Sequence, residues 1–141
     1  MPIPSAEVHS QVGRVLSAYA HAIDDGDVDA VLNLMSEDAV VSYDGGTYVR
    51  TGHAEIRAFL AQALVGASTH LISNLLVEQD KDVVHAKASA IVCITREPGT
   101  VKVRGVSYDA RMIQRSDAWA ITSLNHKSTW QFSVPAAPCD Q

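Results

Sequence analysis

The hydrophobic pattern of this chain changes once, near residue 66, from helical spacing to strict alternation. Before that point apolar residues recur every three or four positions, which is typical of helices with one buried face. After it, apolar and polar residues alternate, as in strands with one face toward a core. With 141 residues, of which 47% are hydrophobic, the chain can fill one core. We therefore expect a single α+β domain over residues 1–134 and a loose tail at 135–141.

The first half carries signals for three helices and one hairpin. Ser5 and Asp27 stand where a side chain can cap the first and second helices, and the apolar stripe of the second helix runs from Val28 to Met35. The third helix is predicted to begin near Gly52 and to end near Gly66. Between the second and third helices, a β-branched run followed by a glycine-rich turn at 44–46 predicts a hairpin.

The second half predicts four antiparallel strands, at about 68–79, 82–96, 100–116 and 118–132, joined by short turns. In the second of these strands the even positions from Val84 to Ile94 are apolar and include three alanines, so we expect them to face inward. Such small side chains leave room for a cavity between the sheet and the helices. Alanine is also common where a helix approaches a sheet closely, so both explanations stay open.

Charge and cysteine content exclude several classes of function. The formal net charge is −5 and the 11 Lys and Arg residues are scattered, which argues against a nucleic-acid surface. Cys93 and Cys139 match neither a metal-ligand spacing nor a disulfide framework, so we expect free thiols and no metal site. The chain lacks the ~18-residue apolar run of a membrane span and the basic and apolar regions of a secretion signal. We expect a cytoplasmic protein without membrane or nucleic-acid partners.

Five segments carry a family resemblance through their order and spacing: 19–27, 37–40, 52–59, 69–74 and 108–119. Together they resemble the SnoaL-like branch of the nuclear transport factor 2-like superfamily. The resemblance implies a cone-shaped α+β fold, in which three N-terminal helices pack on a curved, mostly antiparallel sheet. This superfamily includes dehydratases, isomerases, cyclases, epoxide hydrolases and binding modules, so the fold alone does not give the function.

Within that branch the chain is most similar to the group of scytalone dehydratase and hexachlorocyclohexane dehydrochlorinase. Members of this group pair an Asp at the end of the first helix with a His on the first long strand. Asp24 and His70 occupy those positions, so the resemblance implies a catalytic dyad. Tyr43 matches a pocket tyrosine of the dehydratase. Leu124 and Tyr19 replace an arginine and a lysine of the dehydrochlorinase, so neither known substrate is carried over.

The dyad residues have the chemistry that proton transfer requires. A neutral imidazole is the usual base near pH 7, and a carboxylate on its other ring nitrogen fixes the tautomer and stabilises the imidazolium. We expect His70 to be this base and Asp24 its partner, without a cofactor. Considered without the resemblance, periodicity favours a hydrogen-bonded core histidine at His70, and Asp24 could equally be a capping carboxylate. The predicted substrate-binding residues are Tyr43, Tyr19, Tyr108, His126 and Leu124, whereas His85 and Asp109 are expected to be structural or exposed.

These residues predict a cofactor-independent lyase that dehydrates a small apolar, cyclic or polyketide-like substrate. An isomerase or polyketide cyclase would use the same dyad, and a non-catalytic small-molecule-binding or assembly module would use the same cone. A steroid-type isomerase ranks lower, because its base carboxylate falls at Tyr43 and Asp44 is one residue out of register. The resemblance also implies a homodimer or homotrimer formed through the outer sheet face, with residues such as Trp119 or Ile113. Considered as aromatic residues alone, Trp119 and Trp130 are expected in the core or in such an interface.

Overall fold

The computed structural model describes residues 2–137 and confirms the three helices, the hairpin and the four-stranded meander. The helices are α1 (Ala6–Asp24), α2 (Val28–Asn33) and α3 (Gly52–Ala63). The strands are β1 (Met35–Tyr43), β2 (Tyr48–Thr51), β3 (Ala67–Asp80), β4 (Val83–Thr95), β5 (Thr100–Arg115) and β6 (Ala118–Pro135). A 3₁₀ turn at Asp44–Gly46 joins β1 to β2.

All six strands form one open sheet in the order β2-β1-β6-β5-β4-β3. Neighbours are antiparallel except β1 and β6, which run parallel. The three helices cover one face of this sheet, and the result is the predicted cone of the nuclear transport factor 2-like fold. The parallel pair was not predicted, because it joins parts of the chain as distant as Ser42 and Asn125, which are 83 positions apart.

Side chains cap the first two helices as predicted. The Ser5 hydroxyl accepts the Val8 backbone N–H at 3.2 Å. The Asp27 carboxylate accepts the Ala30 N–H at 3.0 Å and begins α2. Each cap satisfies a backbone donor that has no partner within its own helix. The tight corner between the end of α1 and the Asp27 cap, where the Gly26 N–H donates to the Ile23 carbonyl, fixes where α1 ends and therefore where Asp24 lies.

The inner face of the sheet follows the predicted alternation on β4. Val84, Ala86, Ala88, Ala90 and Val92 are all buried in the core, while Lys87, Ser89 and Ile91 on the other face are exposed. These apolar side chains pack against α1 and its neighbours in one hydrophobic cluster. The alternation of β4 therefore separates an inner face, which meets the helices, from an outer face.

Element boundaries differ from prediction at two places. Strand β1 begins at Met35, which the pattern assigned to the second helix. Strand β6 continues to Pro135, and the Ala136 N–H donates to the Gly99 carbonyl at 2.9 Å, so the first residues of the predicted tail are tied to the sheet. Residues 138–141, which include Cys139, lie outside the described part of the chain. Within that part Cys93 is half-buried and unpaired.

The prediction that Trp119 lies on the outer face is wrong. Its side chain is buried, and its indole N–H donates to the Gln11 side chain of α1 at 3.0 Å. The cause is an irregularity at Thr122, where the pairing with β5 shifts by one residue. An extra residue in a strand moves the side chains beyond it to the opposite face. Trp119 and His126 therefore both face inward, although one position is odd and the other even.

Across residues 2–137, no helix combines the length and the apolar content that a membrane span needs.

Candidate active site

Asp24 and His70 are in direct contact where α1 ends above β3. The Asp24 carboxylate accepts a hydrogen bond from His70 Nδ1 at 2.6 Å and a second from the His70 backbone N–H at 2.9 Å. The Ser68 hydroxyl donates to the same carboxylate at 2.8 Å. Because the carboxylate only accepts, Nδ1 carries a proton, and in the neutral imidazole Nε2 is then the acceptor. This is the geometry of a histidine base held by an acid.

The charge of Asp24 is maintained by these contacts. Burial by itself would raise the pKa of the Asp24 carboxyl, but the hydrogen bonds from the His70 backbone, the His70 ring and the Ser68 hydroxyl hold that pKa below its ordinary value. Asp24 is therefore an anion at neutral pH. Its side chain is 21% exposed and that of His70 is 11% exposed, so the pair is largely shielded from water.

A group of four ring side chains lies beside the dyad. The Tyr19 hydroxyl is 3.0 Å from His126 Nε2, and His126 Nδ1 is 3.1 Å from the Ser42 carbonyl oxygen. Since that carbonyl can only accept, Nδ1 is the protonated nitrogen, and Nε2 accepts the Tyr19 proton. Tyr43 stacks on His126 with ring centroids 4.7 Å apart, and Tyr108 meets His126 edge-on at 4.8 Å.

The ionisation of this ring group is set mainly by burial. Burial lowers the pKa of His126 to about 4, and the nearby Arg104 guanidinium acts in the same direction, although the hydrogen bond to Ser42 acts the other way. Burial also raises the pKa of Tyr19, Tyr43 and Tyr108 above the ordinary tyrosine value. At neutral pH the site therefore holds a neutral imidazole and three protonated phenols.

Two of these phenols are available to a ligand. Tyr19 is committed to His126. In contrast, neither the Tyr43 nor the Tyr108 hydroxyl has a hydrogen-bond partner among the side chains and backbone of residues 2–137. A neutral phenol without a partner is a ready donor to an oxygen that gains negative charge.

A cavity of about 370 Å³ connects the dyad with the ring group. It lies between the end of α1, α3 and the inner face of the sheet, and its exposed rim includes Asp25, Val65 and Arg96. Its apolar wall is formed by Ile23, Phe59, Leu60, Ala63, Leu64, Val92, Ile94 and Val106. A cavity of this size with a few polar groups is typical of a small-molecule site.

Six of the seven predicted site residues line this cavity: Asp24, His70, Tyr19, Tyr43, Tyr108 and His126. Leu124 does not line it, and is 1% exposed within the hydrophobic core. Tyr108 pairs with His126 across β5 and β6, and the next inward-facing pair is Ala110 with Leu124. Leu124 thus faces inward as predicted, but it lies one residue pair beyond the cavity, in the packed core.

The alanines of β4 do not line the cavity either. Ala86, Ala88 and Ala90 are buried in the core, and the cavity begins further along the same strand, at Val92 and Ile94. The expectation that these three alanines make room for the cavity is therefore not met, because they lie in the packed core.

Two polar residues of the site were missed by the sequence analysis. Ser68 supports Asp24, and it stands two residues before His70 on the same face of β3. Arg104 lines the cavity from β5 and stands four residues before Tyr108, on the same face. Strand alternation alone could have found both, because each shares the parity of a residue already assigned to the pocket.

No group of three or more His, Cys, Asp or Glu side chains within residues 2–137 is arranged to hold a metal ion. The polar groups inside the cavity are one acid–histidine pair with the Ser68 hydroxyl, three phenols, one neutral imidazole and the Arg104 guanidinium, while Asp25 and Arg96 lie at the rim. This set can accept a proton at one wall and donate hydrogen bonds from another.

Comparison with known proteins supports the same fold. A protein provisionally named an aromatic ring hydroxylase, from Novosphingobium aromaticivorans, is 25% identical; the match covers 93% of this chain and 96% of that chain, with a TM-score of 0.86. A protein from the same organism, provisionally named a scytalone dehydratase, is 15% identical over 91% of this chain and 88% of that chain, with a TM-score of 0.79.

A hexachlorocyclohexane dehydrochlorinase of Novosphingobium barchaimii is 13% identical over 94% of this chain and 96% of that chain, with a TM-score of 0.83. At identities of 15% and 13%, the likeness to the dehydratase and to the dehydrochlorinase shows the fold alone. No curated protein matches the chain. The family model of the SnoaL-like domain matches residues 4–125, and the chain therefore belongs to the SnoaL-like family of the nuclear transport factor 2-like superfamily.

Proposed function

We propose that this protein is a cofactor-independent acid–base enzyme that dehydrates a small, cyclic or polyketide-like substrate. One observation carries the proposal: the 2.6 Å contact between Asp24 and His70 at the wall of a cavity that also holds unpaired phenols. The carboxylate holds the imidazole in the tautomer with an unprotonated Nε2. His70 is therefore arranged to take a proton from a substrate C–H.

The reaction that follows from this geometry is an elimination. His70 Nε2 takes the proton, the C–H electrons form a C=C bond, and a neighbouring hydroxyl leaves as water once it has received a proton from the imidazolium. If the C–H lies next to a carbonyl, the Tyr43 and Tyr108 hydroxyls can donate to the oxygen that becomes negative. Proton transfer of this kind contributes about 10²–10⁴-fold, so the phenol donors are a necessary second part of the proposal.

The same first step would begin an isomerisation or a polyketide ring closure if no leaving group lay beside the carbanion. A steroid-type isomerase based on Asp44 is not favoured, because Asp44 lies in the 3₁₀ turn with a side chain that is 51% exposed. Such a base needs a shielded position near the substrate, and Asp24 with His70 already has it.

The test is proton exchange and turnover by the parent protein and His70→Gln. A panel of cyclic ketones and β-hydroxy ketones is incubated in D₂O, and mass spectrometry records deuterium uptake and loss of water. We expect His70→Gln to reduce both rates by about 10²–10⁴-fold while ligand affinity changes little.

The chain offers a matched control for this substitution. His85 contacts Asp109 at 2.5 Å on the outer face of the sheet, away from the cavity, so His85→Gln removes a histidine from a similar acid–histidine pair. We expect its rates to equal those of the parent. If the parent bound panel members but neither exchanged nor dehydrated any of them, the enzyme proposal would fail in favour of a binding module.

A further inference from the structure

Arg104 lies opposite the dyad on the floor of the cavity. His70 pairs with Val92 across β3 and β4, and Val92 pairs with Arg104 across β4 and β5, so the three side chains form one row on the inner face. Two strand spacings separate the ends of this row, which puts the Cα atoms of His70 and Arg104 about 10 Å apart. The base and the cation thus flank the same apolar floor.

The Arg104 guanidinium is held in place but is not neutralised by a hydrogen-bonded carboxylate. Its Nε donates to the Ser128 hydroxyl at 3.1 Å, and its Nη2 donates to the same oxygen. Asp44 approaches Nη2 only to 3.7 Å, and the Asp44 side chain is 51% exposed, so water screens that pair. Within residues 2–137, Nη1 has no hydrogen-bond partner. The guanidinium is therefore oriented before a ligand binds, and Nη1 can donate to that ligand.

The surroundings of Arg104 favour an anion. A second cavity of about 420 Å³ shares Ile94, Arg96 and Arg104 with the first and is also lined by Lys102 and Glu97. Three cations and two carboxylates, Glu97 and Asp44, therefore surround this end of the site, although the chain as a whole carries a net charge of −5. The Asp24 carboxylate is an anion in the same cavity, but it accepts its hydrogen bonds from Ser68 and His70 and makes none with Arg104.

We propose that the substrate is a cyclic carboxylate whose carboxyl group is bound by Arg104. A guanidinium donates to the two oxygens of a carboxylate along parallel bonds, a match that a lysine cannot make. The ring then lies on Val92 and Val106 and its acidic C–H faces His70. This assignment rests on the proposed function for the role of His70, but binding of the carboxylate itself requires only Arg104.

The experiment compares two ligands of nearly the same shape, 1-naphthoate and its neutral amide 1-naphthamide, by isothermal titration calorimetry. We expect the parent to prefer the carboxylate by about tenfold or more. Arg104→Gln should abolish this preference by lowering the affinity for 1-naphthoate, while the affinity for 1-naphthamide stays within about twofold of the parent value. Asp44→Asn should strengthen 1-naphthoate binding a few-fold, because it removes the competing carboxylate.

Arg111→Gln is the matched control, since it removes the same charge from an exposed position on the outer face of β5. We expect it to keep the parent preference. The proposal is overturned if the parent shows no preference for the carboxylate, or if Arg104→Gln leaves the preference unchanged or lowers both affinities equally.

Measurements on His70→Gln separate this inference from the proposed function. A variant without exchange activity that still prefers 1-naphthoate supports both. If His70→Gln loses activity while the preference proves independent of Arg104, only the carboxylate assignment fails. If the preference depends on Arg104 but the parent exchanges no proton of any ligand, only the proposed chemistry fails.

Discussion

His126 is the ionisable side chain whose environment most constrains the behaviour of this protein in acid. It is held between the Ser42 carbonyl, the Tyr19 hydroxyl and two aromatic rings. Each of these contacts fits a neutral ring. A proton on Nε2 would turn that nitrogen from an acceptor into a donor, and the Tyr19 oxygen would have to accept from it. The Tyr19 proton therefore keeps its acceptor only while His126 is unprotonated.

This environment predicts an acid-sensitive fold. Because burial lowers the pKa of His126 from 6.5 to about 4, the unfolded chain takes up this proton before the folded protein does as the pH falls. The contribution of neutral His126 to the free energy of unfolding is complete above about pH 6.5. It is lost progressively as the pH falls toward 4, by up to about 3 kcal/mol. Urea unfolding of the parent and of His126→Gln between pH 7.5 and pH 4 measures it.

We expect the free energy of unfolding of His126→Gln to fall less steeply with acid than that of the parent. The variants are compared by the slope of the free energy of unfolding against pH, because the substitution also alters packing at every pH. His9→Gln is the control, since it removes an exposed histidine from α1. A slope for His126→Gln equal to that of the parent and of His9→Gln would contradict the prediction.

The dyad itself was predictable only through the resemblance. Asp24 and His70 are 46 positions apart, and hydrophobic periodicity says which face each one takes but not that the two faces meet. The supporting residues were within reach of strand alternation, as the positions of Ser68 and Arg104 relative to His70 and Tyr108 show. Leu124 shows what this reasoning cannot give. Odd or even position in a strand predicts which face a side chain takes, but not whether that part of the face lines the cavity or the core.

The connection from α3 to β3 shapes the rim of the cavity. Gly66 has a φ of +82°, a backbone conformation that residues with a Cβ rarely adopt. In addition, a Cβ at this position would collide with the backbone carbonyl of Thr95 at the end of β4. Both the turn and the close approach of two backbones therefore require glycine. The predicted end of the third helix near Gly66 reflects this requirement.

Gly66→Ala is expected to destabilise the fold more than Gly99→Ala. Gly99 has a similar φ of +78°, but a Cβ there would meet nothing within 4 Å. Both substitutions carry the cost of a left-handed backbone, about 1–2 kcal/mol, and only Gly66→Ala adds the collision. Equal midpoints of thermal unfolding for the two variants would show that the approach to Thr95 does not constrain this turn.

Helices and strands were largely predictable because each has a local signal. The caps at Ser5 and Asp27 and the alternation of β4 all rest on neighbours within a few residues. The irregularity at Thr122 had no such signal, since its cause is the pairing with β5. That one residue accounts for the wrong placement of Trp119.

The outer face of the sheet carries an apolar surface at the cavity end of the molecule. Leu71 pairs with Ile91, and Gly105 connects Ile91 to Trp130 in the same row. Trp130 covers Gly105, where a Cβ would collide with the indole ring. The exposed members of this outer apolar surface are Leu71, Ile91, Trp130, Phe132 and Val134. A continuous patch of this kind is typical of a surface that another protein covers.

We expect a second copy of the chain to cover this surface, in a homodimer or a homotrimer. Phe132 is 52% exposed and lies near the end of β6, so Phe132→Glu should leave the fold intact while it places a charge in the contact. Analytical ultracentrifugation should then show a shift from oligomer toward monomer. Gln114→Glu, at an exposed position outside the patch, is the control and should leave the oligomer unchanged. A monomeric parent would contradict this prediction.

The parallel pairing of β1 with β6 also affects how the chain folds during synthesis. The neighbours of β1 in the sheet are β2 and β6, so the hairpin made early in translation has no place to dock until the last strand has left the ribosome. Contacts between such distant segments give a high contact order and slow folding. Nascent chains cut short before β6 would keep an unpaired strand edge, which favours aggregation.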